Sequence, residues 1–198
     1  MELMLTCEKC GETMSLPARG RTPRFCSTRC RVAHHRAQQL PAEMTSKPRW
    51  SRFANTPRAG GKPTRRPIMA NGRSASSTNP RTWTTYDVVK AAKSGDGIGF
   101  MLGDGIGAID LDRCLANGRL EPWAQAIVNA CPATYIEISP SGTGLHIFGH
   151  VVPGPGRGQR AGERIEIYSR ARFMTVTGDR WPGSVNTLAD LSAVIASL

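Results

Sequence analysis

The chain has 198 residues, room for one sizeable core plus a small satellite module, and carries a formal net charge of +11 with a pI of about 10.1. It has no apolar run of about 18 residues and no signal-like apolar stretch at its start, so neither a membrane span nor secretion is expected, and a cytoplasmic site of action is. Residues 1–82 hold sixteen Lys and Arg against four Asp and Glu and residues 83–198 ten against eleven, so the excess charge is N-terminal and suggests a polyanionic partner.

Residues 1–40 contain Cys7-Glu-Lys-Cys10 and Cys26-Ser-Thr-Arg-Cys30, two close pairs separated by a Gly- and Pro-containing stretch, which is zinc-ribbon spacing. In a reducing compartment such cysteines are expected as metal ligands rather than disulfides. Four thiolates around zinc would supply folding energy that so few apolar residues cannot. His34 or His35 could replace Cys30 in the set. From Ser27 to Gln39 the pattern predicts a basic helix capped by Ser27, with Arg29, Arg31 and Arg36 open to phosphates or simply to solvent.

Residues 41–62 are rich in Pro, Gly and Arg with little periodicity and read as a basic linker, in which Trp50 and Phe53 could anchor to the domain C-terminal to it. From about Pro63 an ordered arm is expected, its Arg65, Arg66 and Arg73 able to face a phosphate backbone or a triphosphate.

Residues 63–198 read as this arm plus an α+β domain. A helix is predicted from Thr84 or Thr85 to Lys93, then strands Ile98–Leu102 and Ile106–Leu111 joined as a hairpin by Gly103-Asp104-Gly105. The second strand ends in Asp110-Leu-Asp112; side chains alternate along a strand, so the two carboxylates share a face and can hold a divalent cation. Pro122 opens a helix to Cys131, and Cys114 and Cys131 look like packing residues.

Strands follow at Thr134–Ile138 and Leu145–Phe148, with Ser139-Pro-Ser-Gly-Thr-Gly144 between them. Gly142 and Gly144 would let backbone amides approach an anion, Ser141 adds a hydroxyl, and His146 stands beside the turn. After a basic Gly-rich loop from Val151 to Gly162, strand Arg164–Tyr168 offers Glu166 as a third carboxylate; Glu137, in the matching Tyr-Ile-Glu-Ile context, is its rival. Arg172–Gly178 gives the last strand and Leu188–Leu198 an amphipathic closing helix.

Taken together, the IDLD strand end, the SPSGTGLHIF hairpin and the RIEIY strand followed by RFMTVTG resemble the three ordered motifs of the archaeo-eukaryotic primase superfamily, nearest to the phage and plasmid primase-polymerase group. The resemblance extends from about Trp50 to Gly183 and includes the arm ending in GRSASSTNPRTW. It implies an RRM-like palm of mixed or antiparallel sheet with packed helices. It also implies Mg2+ or Mn2+ held by Asp110, Asp112 and Glu166, and a triphosphate held by His146 with Ser141, Gly142, Gly144 and Arg172.

The implied activity is a DNA primase or primase-polymerase, a nucleotidyltransferase joining NTPs or dNTPs on a single-stranded DNA template by two-metal catalysis during phage or mobile-element replication. A separate helicase or polymerase would then be a partner. The chain departs from the family at Ser169-Arg170-Ala171-Arg172-Phe173-Met174, where relatives usually read Asp-Ser-Gly-Arg-Tyr-Phe; Phe173 lacks the tyrosine hydroxyl. These departures motivate a second reading, a DNA-binding replication accessory with little chemistry of its own. A nuclease using the same acidic cluster is a third.

Overall fold

With only Cys7 and Met14 buried among its described apolar residues, the N-terminal part has little core of its own. In the computed structural model, which describes residues 4–15, 20, 22–37, 39–58, 63–157 and 164–198, the chain forms two compact units, Met1–Gln39 and Leu40–Leu198. In the first, β1 (Leu5–Thr6) and β2 (Thr13–Met14) pair antiparallel around a turn in which Gly11 has φ +75°, and α1 (Thr28–Ala37) follows. Ser27 caps α1 as expected, its hydroxyl accepting from the Cys30 amide at 3.2 Å. The helix was expected to reach Gln39, which is not helical; residue 38 and the side chains of His35 and Arg36 lie outside the described residues.

The second unit begins where a linker was expected. Instead, α2 (Ala42–Thr45) leads into β3 (Trp50–Thr56), an internal strand that pairs with both β4 (Thr64–Ile68) and β5 (Gly97–Met101). Two aromatics explain the difference. Trp50 is fully buried, donates its indole N–H to the Met44 carbonyl at 2.9 Å and meets Phe100 edge-on at 5.2 Å. Phe53 lies on the other face, over Gly97 of β5, where a Cβ would come within 2.6 Å of its ring. Arg52 is also structural: its guanidinium donates to the carbonyls of Val89, Ser94 and Gly95 at the end of α3 (Tyr86–Ala91), which is shorter than predicted.

The pair Gly97–Met101 and β6 (Ile106–Leu111) is not a hairpin. Three successive residues with positive φ, Gly103, Asp104 and Gly105, turn the chain out of one sheet and into another, leaving a single bridge between Gly103 and Ile106. A small hairpin, β7 (Leu115–Ala116) and β8 (Arg119–Leu120), then turns on Asn117-Gly118 before α4 (Pro122–Ala130). The remaining strands are β9 (Tyr135–Ile138), β10 (Leu145–His150), β11 (Ile165–Tyr168) and β12 (Phe173–Val176). Part of the expected Val151–Gly162 loop, residues 158–162, lies outside the described residues. The closing helix α5 covers only Ser192–Ser197, because the segment before it runs extended against β10, with the Leu191 amide on the His150 carbonyl at 2.9 Å.

The expected single sheet is therefore two four-stranded sheets, β12-β5-β3-β4 and β11-β6-β10-β9, with every pairing antiparallel. One face of the second sheet, with Ile109, Leu111, Leu145 and Ile147, packs with Ala124 and Ile127 of α4 and Val194 and Ile195 of α5. The opposite face is divided. A row of cross-strand partners, Tyr168, Ala108, Phe148 and Tyr135, joins Trp50, Phe100 and Met174 in a core shared with the first sheet. The next row on that face, two residues along each strand, is polar.

Candidate active site

That polar row is Glu166, Asp110, His146 and Glu137, directly opposite one another across β11, β6, β10 and β9. Paired residues in an antiparallel ladder project to the same side, so four functional groups drawn from four separate strands form one line. Asp112 continues the same face just past the end of β6, its amide bound to the Arg164 carbonyl at 2.8 Å.

His146 connects the line, with Nδ1 3.1 Å from Glu137 Oε1 and Nε2 3.9 Å from Asp110 Oδ1. Its side chain is 5% exposed, that of Asp110 18% and that of Glu166 25%, while Glu137 is wholly enclosed. Tyr168 donates to Glu166 Oε2 at 2.6 Å, and the Arg172 guanidinium lies 4.3 Å above the Tyr168 ring and 3.9 Å from the same carboxylate.

A cavity of about 440 Å³ opens over this line, walled from both sheets. Asp110 and His146 come from one, Thr64, Arg65 and Pro67 of β4 and Phe173, Met174 and Thr175 of β12 from the other, and Ser77, Ala171 and Arg172 from connecting segments. Arg65 was expected as one of three arm arginines able to face a phosphate backbone or a triphosphate, and Ser77 only as part of that arm; the place of Arg65 at the site depends on β4 being an edge strand of the first sheet. Ser141, Gly142 and Gly144 do not line the cavity. In the turn before β10 the hydroxyls of Ser139, Ser141 and Thr143 bond in series at 3.0 Å and the Gly142 amide donates to the Ser139 carbonyl. Gly144 is where that turn approaches β6, since a Cβ there would sit 2.6 Å from the Leu111 carbonyl oxygen.

Burial, then repulsion from Asp112 and Glu166, pushes the Asp110 carboxyl up to about 6 against the opposing attraction of His146 and Arg172. For His146 burial opposes the charged imidazole, but the hydrogen bond to Glu137 and the negative charges of Asp110 and Glu137 outweigh it and raise its pKa above the ordinary value. The donor chemistry of Asp110, Asp112 and Glu166, all oxygen, fits Mg2+ or Mn2+, and their mutual repulsion at Asp110 is the strain a divalent cation relieves. Tyr168 holds Glu166 through Oε2, and the oxygens of the three carboxylates do not all lie within 4.8 Å of one another.

The first unit holds a tighter set. The sulfurs of Cys7, Cys10, Cys26 and Cys30 all lie within 4.8 Å of one another, the one such group of His, Cys, Asp or Glu among the described residues. Cys30, rather than His34, completes it; His34 packs on the Phe25 ring at 4.9 Å. Burial works against a Cys7 thiolate, but backbone N–H groups of Cys26, Cys10 and Lys9 bring its pKa to about 6, whereas sharing a proton with Cys30 lifts Cys26 to about 12. Four thiols this close cannot all ionise without a cation between them, and zinc fits that donor set.

No family model matches the chain. The DNA primase-polymerase of Nitratiruptor phage NrS-1 is 37% identical over 127 residues, covering 57% of this chain and 17% of the phage protein, so the chain spans about a sixth of that relative's length. Among the described residues no helix is long and apolar enough to cross a membrane.

Proposed function

We propose that residues 40–198 are the catalytic domain of a DNA primase-polymerase, of the RRM-like palm type, which joins NTPs or dNTPs on single-stranded DNA. The observation that carries this reading is the cavity whose lining brings Asp110 and His146, 3.9 Å apart, together with Arg65 and Arg172. Nucleotidyl transfer needs oxygen ligands for cations on one side and cationic groups for a triphosphate on the other, and no nucleophile of the protein's own. Similarity to a phage primase-polymerase supports the same assignment.

Asp110, Asp112 and Glu166 hold two divalent ions in this scheme. Such ions, when bound, supply activation of the primer 3′-hydroxyl and neutralisation of the leaving pyrophosphate. His146, from the same sheet as the acidic row, and Arg172 and Arg65, from the rest of the cavity lining, bind the triphosphate, while the Tyr168 hydroxyl holds Glu166 through Oε2. The zinc module and the basic segment of the second unit bind template, and a separate replicative helicase or polymerase cooperates within the host cell.

The test is synthesis by the purified full chain on single-stranded DNA with NTPs or dNTPs and Mg2+ or Mn2+. Product that is lost in the Asp110→Ala, Asp112→Ala double variant, with DNA affinity kept, is the expected result. Folded protein that yields no product under any combination refutes the enzymatic reading and leaves a DNA-binding accessory.

A further inference from the structure

We infer that Glu137 is a positioning residue for His146, and that it does this by fastening the two walls of the cavity together behind the imidazole. By sequence Glu137 and Glu166 are equivalent, each one residue from isoleucines and two from a tyrosine. By position they differ: Glu166 pairs with Asp110 itself, whereas Glu137 stands on the far side of His146, one strand further out.

A carboxylate offers about four lone-pair directions, and all four of Glu137 have donors. Oε1 accepts from His146 Nδ1 at 3.1 Å and from the Thr177 amide at 3.0 Å; Oε2 accepts from the Tyr135 hydroxyl at 2.9 Å and the Gly178 amide at 3.0 Å. It is wholly buried and cannot reach an ion in the cavity without abandoning these partners. Its role is to take Nδ1, which leaves Nε2 directed toward Asp110 and the cavity. Phe148 lies edge-on to the imidazole at 6.1 Å.

Two of those donors come from the chain just after β12, whose own residues Phe173, Met174 and Thr175 line the cavity from the first sheet. Thr177 also donates its hydroxyl to the Ile138 carbonyl, and the amides of Ile138 and Trp181 complete the ladder along β9. Glu137 is thus the polar joint between the strand carrying one wall and the strand beside His146. Losing it should loosen the distance from His146 to the opposite wall as well as the tilt of the ring.

What His146 serves rests on the function proposed above; the orientation of its ring does not. The first measurement is therefore the imidazole nitrogen spectrum of the full chain by long-range 1H–15N NMR, without nucleotide. Hydrogen on Nδ1 is expected, whatever Nε2 carries, and a spectrum with Nδ1 bare overturns the inference even if the variant folds poorly. The second is steady-state synthesis by Glu137→Gln, where the single remaining carbonyl cannot serve both pairs of donors. KM for nucleotide should rise about tenfold with kcat within about threefold, as for other groups that orient a binding histidine. An unchanged KM in Glu137→Gln while His146→Ala raises it overturns the positioning role. An unchanged KM in His146→Ala overturns instead the nucleotide role given to His146, and the spectrum then decides orientation alone.

Discussion

Replacing Asp110 by Asn should destroy nucleotide addition and make the second unit more stable. Asp110 has 18% of its side chain exposed, and its carboxyl is pushed from the ordinary 3.8 to about 6, so the folded state holds the proton more tightly than the unfolded chain. Above pH 6 that proton has been given up in both states, and the burial of the charge counts fully against folding. As the pH falls through 6 toward 3.8 the folded state takes the proton back and the penalty disappears. A shift of about 2 units corresponds to about 3 kcal/mol at neutral pH, an upper figure for the advantage of the neutral amide. All four tryptophans, Trp50, Trp83, Trp123 and Trp181, belong to the second unit, so urea unfolding followed by tryptophan fluorescence reports it alone. With chelator present, Asp110→Asn should gain about 1–3 kcal/mol over the wild type at pH 7.5 and almost nothing at pH 4, where other titrating groups cancel between the two proteins. A variant no more stable at pH 7.5, or an advantage that persists unchanged at pH 4, refutes the account of Asp110 as a charge held at the expense of the fold.

The cysteine quartet predicts one zinc per chain by elemental analysis, and its removal by chelator should reduce the far-UV helical signal of α1 while leaving tryptophan fluorescence unmoved; zinc absent from natively purified protein counts against the site. For single-stranded DNA, each lost phosphate contact should flatten the log–log salt dependence by about 0.7, so the pair Arg66→Ala, Arg73→Ala and the pair Arg29→Ala, Arg31→Ala should each flatten it by about 1.4. A pair whose loss leaves the slope unchanged does not contact the template.

The strands around the site were legible because each carries a plain alternation: Ile109 and Leu111 against Asp110 and Asp112, Leu145 and Ile147 against His146, Ile165 and Ile167 against Glu166. Which strands pair was not, since alternation describes a face and not a neighbour; hence β5 and β6, adjacent in sequence, fall in different sheets. Residues 50–56 were hidden for a related reason. Their large apolar side chains are Trp50 and Phe53, and the partner that gives those rings a place, glycine-bearing β5, lies more than forty residues on. Glu137 and Glu166 could not be separated by local context because the difference lies in what covers each: residues 177–181 seal the edge of β9, while Glu166 keeps access to solvent.

The corrected boundary also changes the electrostatic argument. Once residues 40–62 belong to the unit that carries the site, that unit has nineteen Lys and Arg against twelve Asp and Glu, a net charge of +7, and needs no appended module to attract a polyanion. Some of this charge is spent internally, as Arg52 is on the carbonyls ending α3, and some stands on the exposed edge at Arg65 and Arg66. The same unit places a row of carboxylates beside that edge, and these would repel the phosphates that Arg65 and Arg172 are proposed to bind, just as Asp112 and Glu166 add to the burial that raises Asp110 to about 6. On the function proposed, the two tendencies are reconciled only when divalent cations occupy the acidic row, since they turn the repelling wall into an attracting one. Cation binding and nucleotide binding should therefore strengthen one another through the cavity, and the apolar row of Tyr168, Ala108, Phe148 and Tyr135 beneath it supplies the stability against which so costly a line of charge can be held.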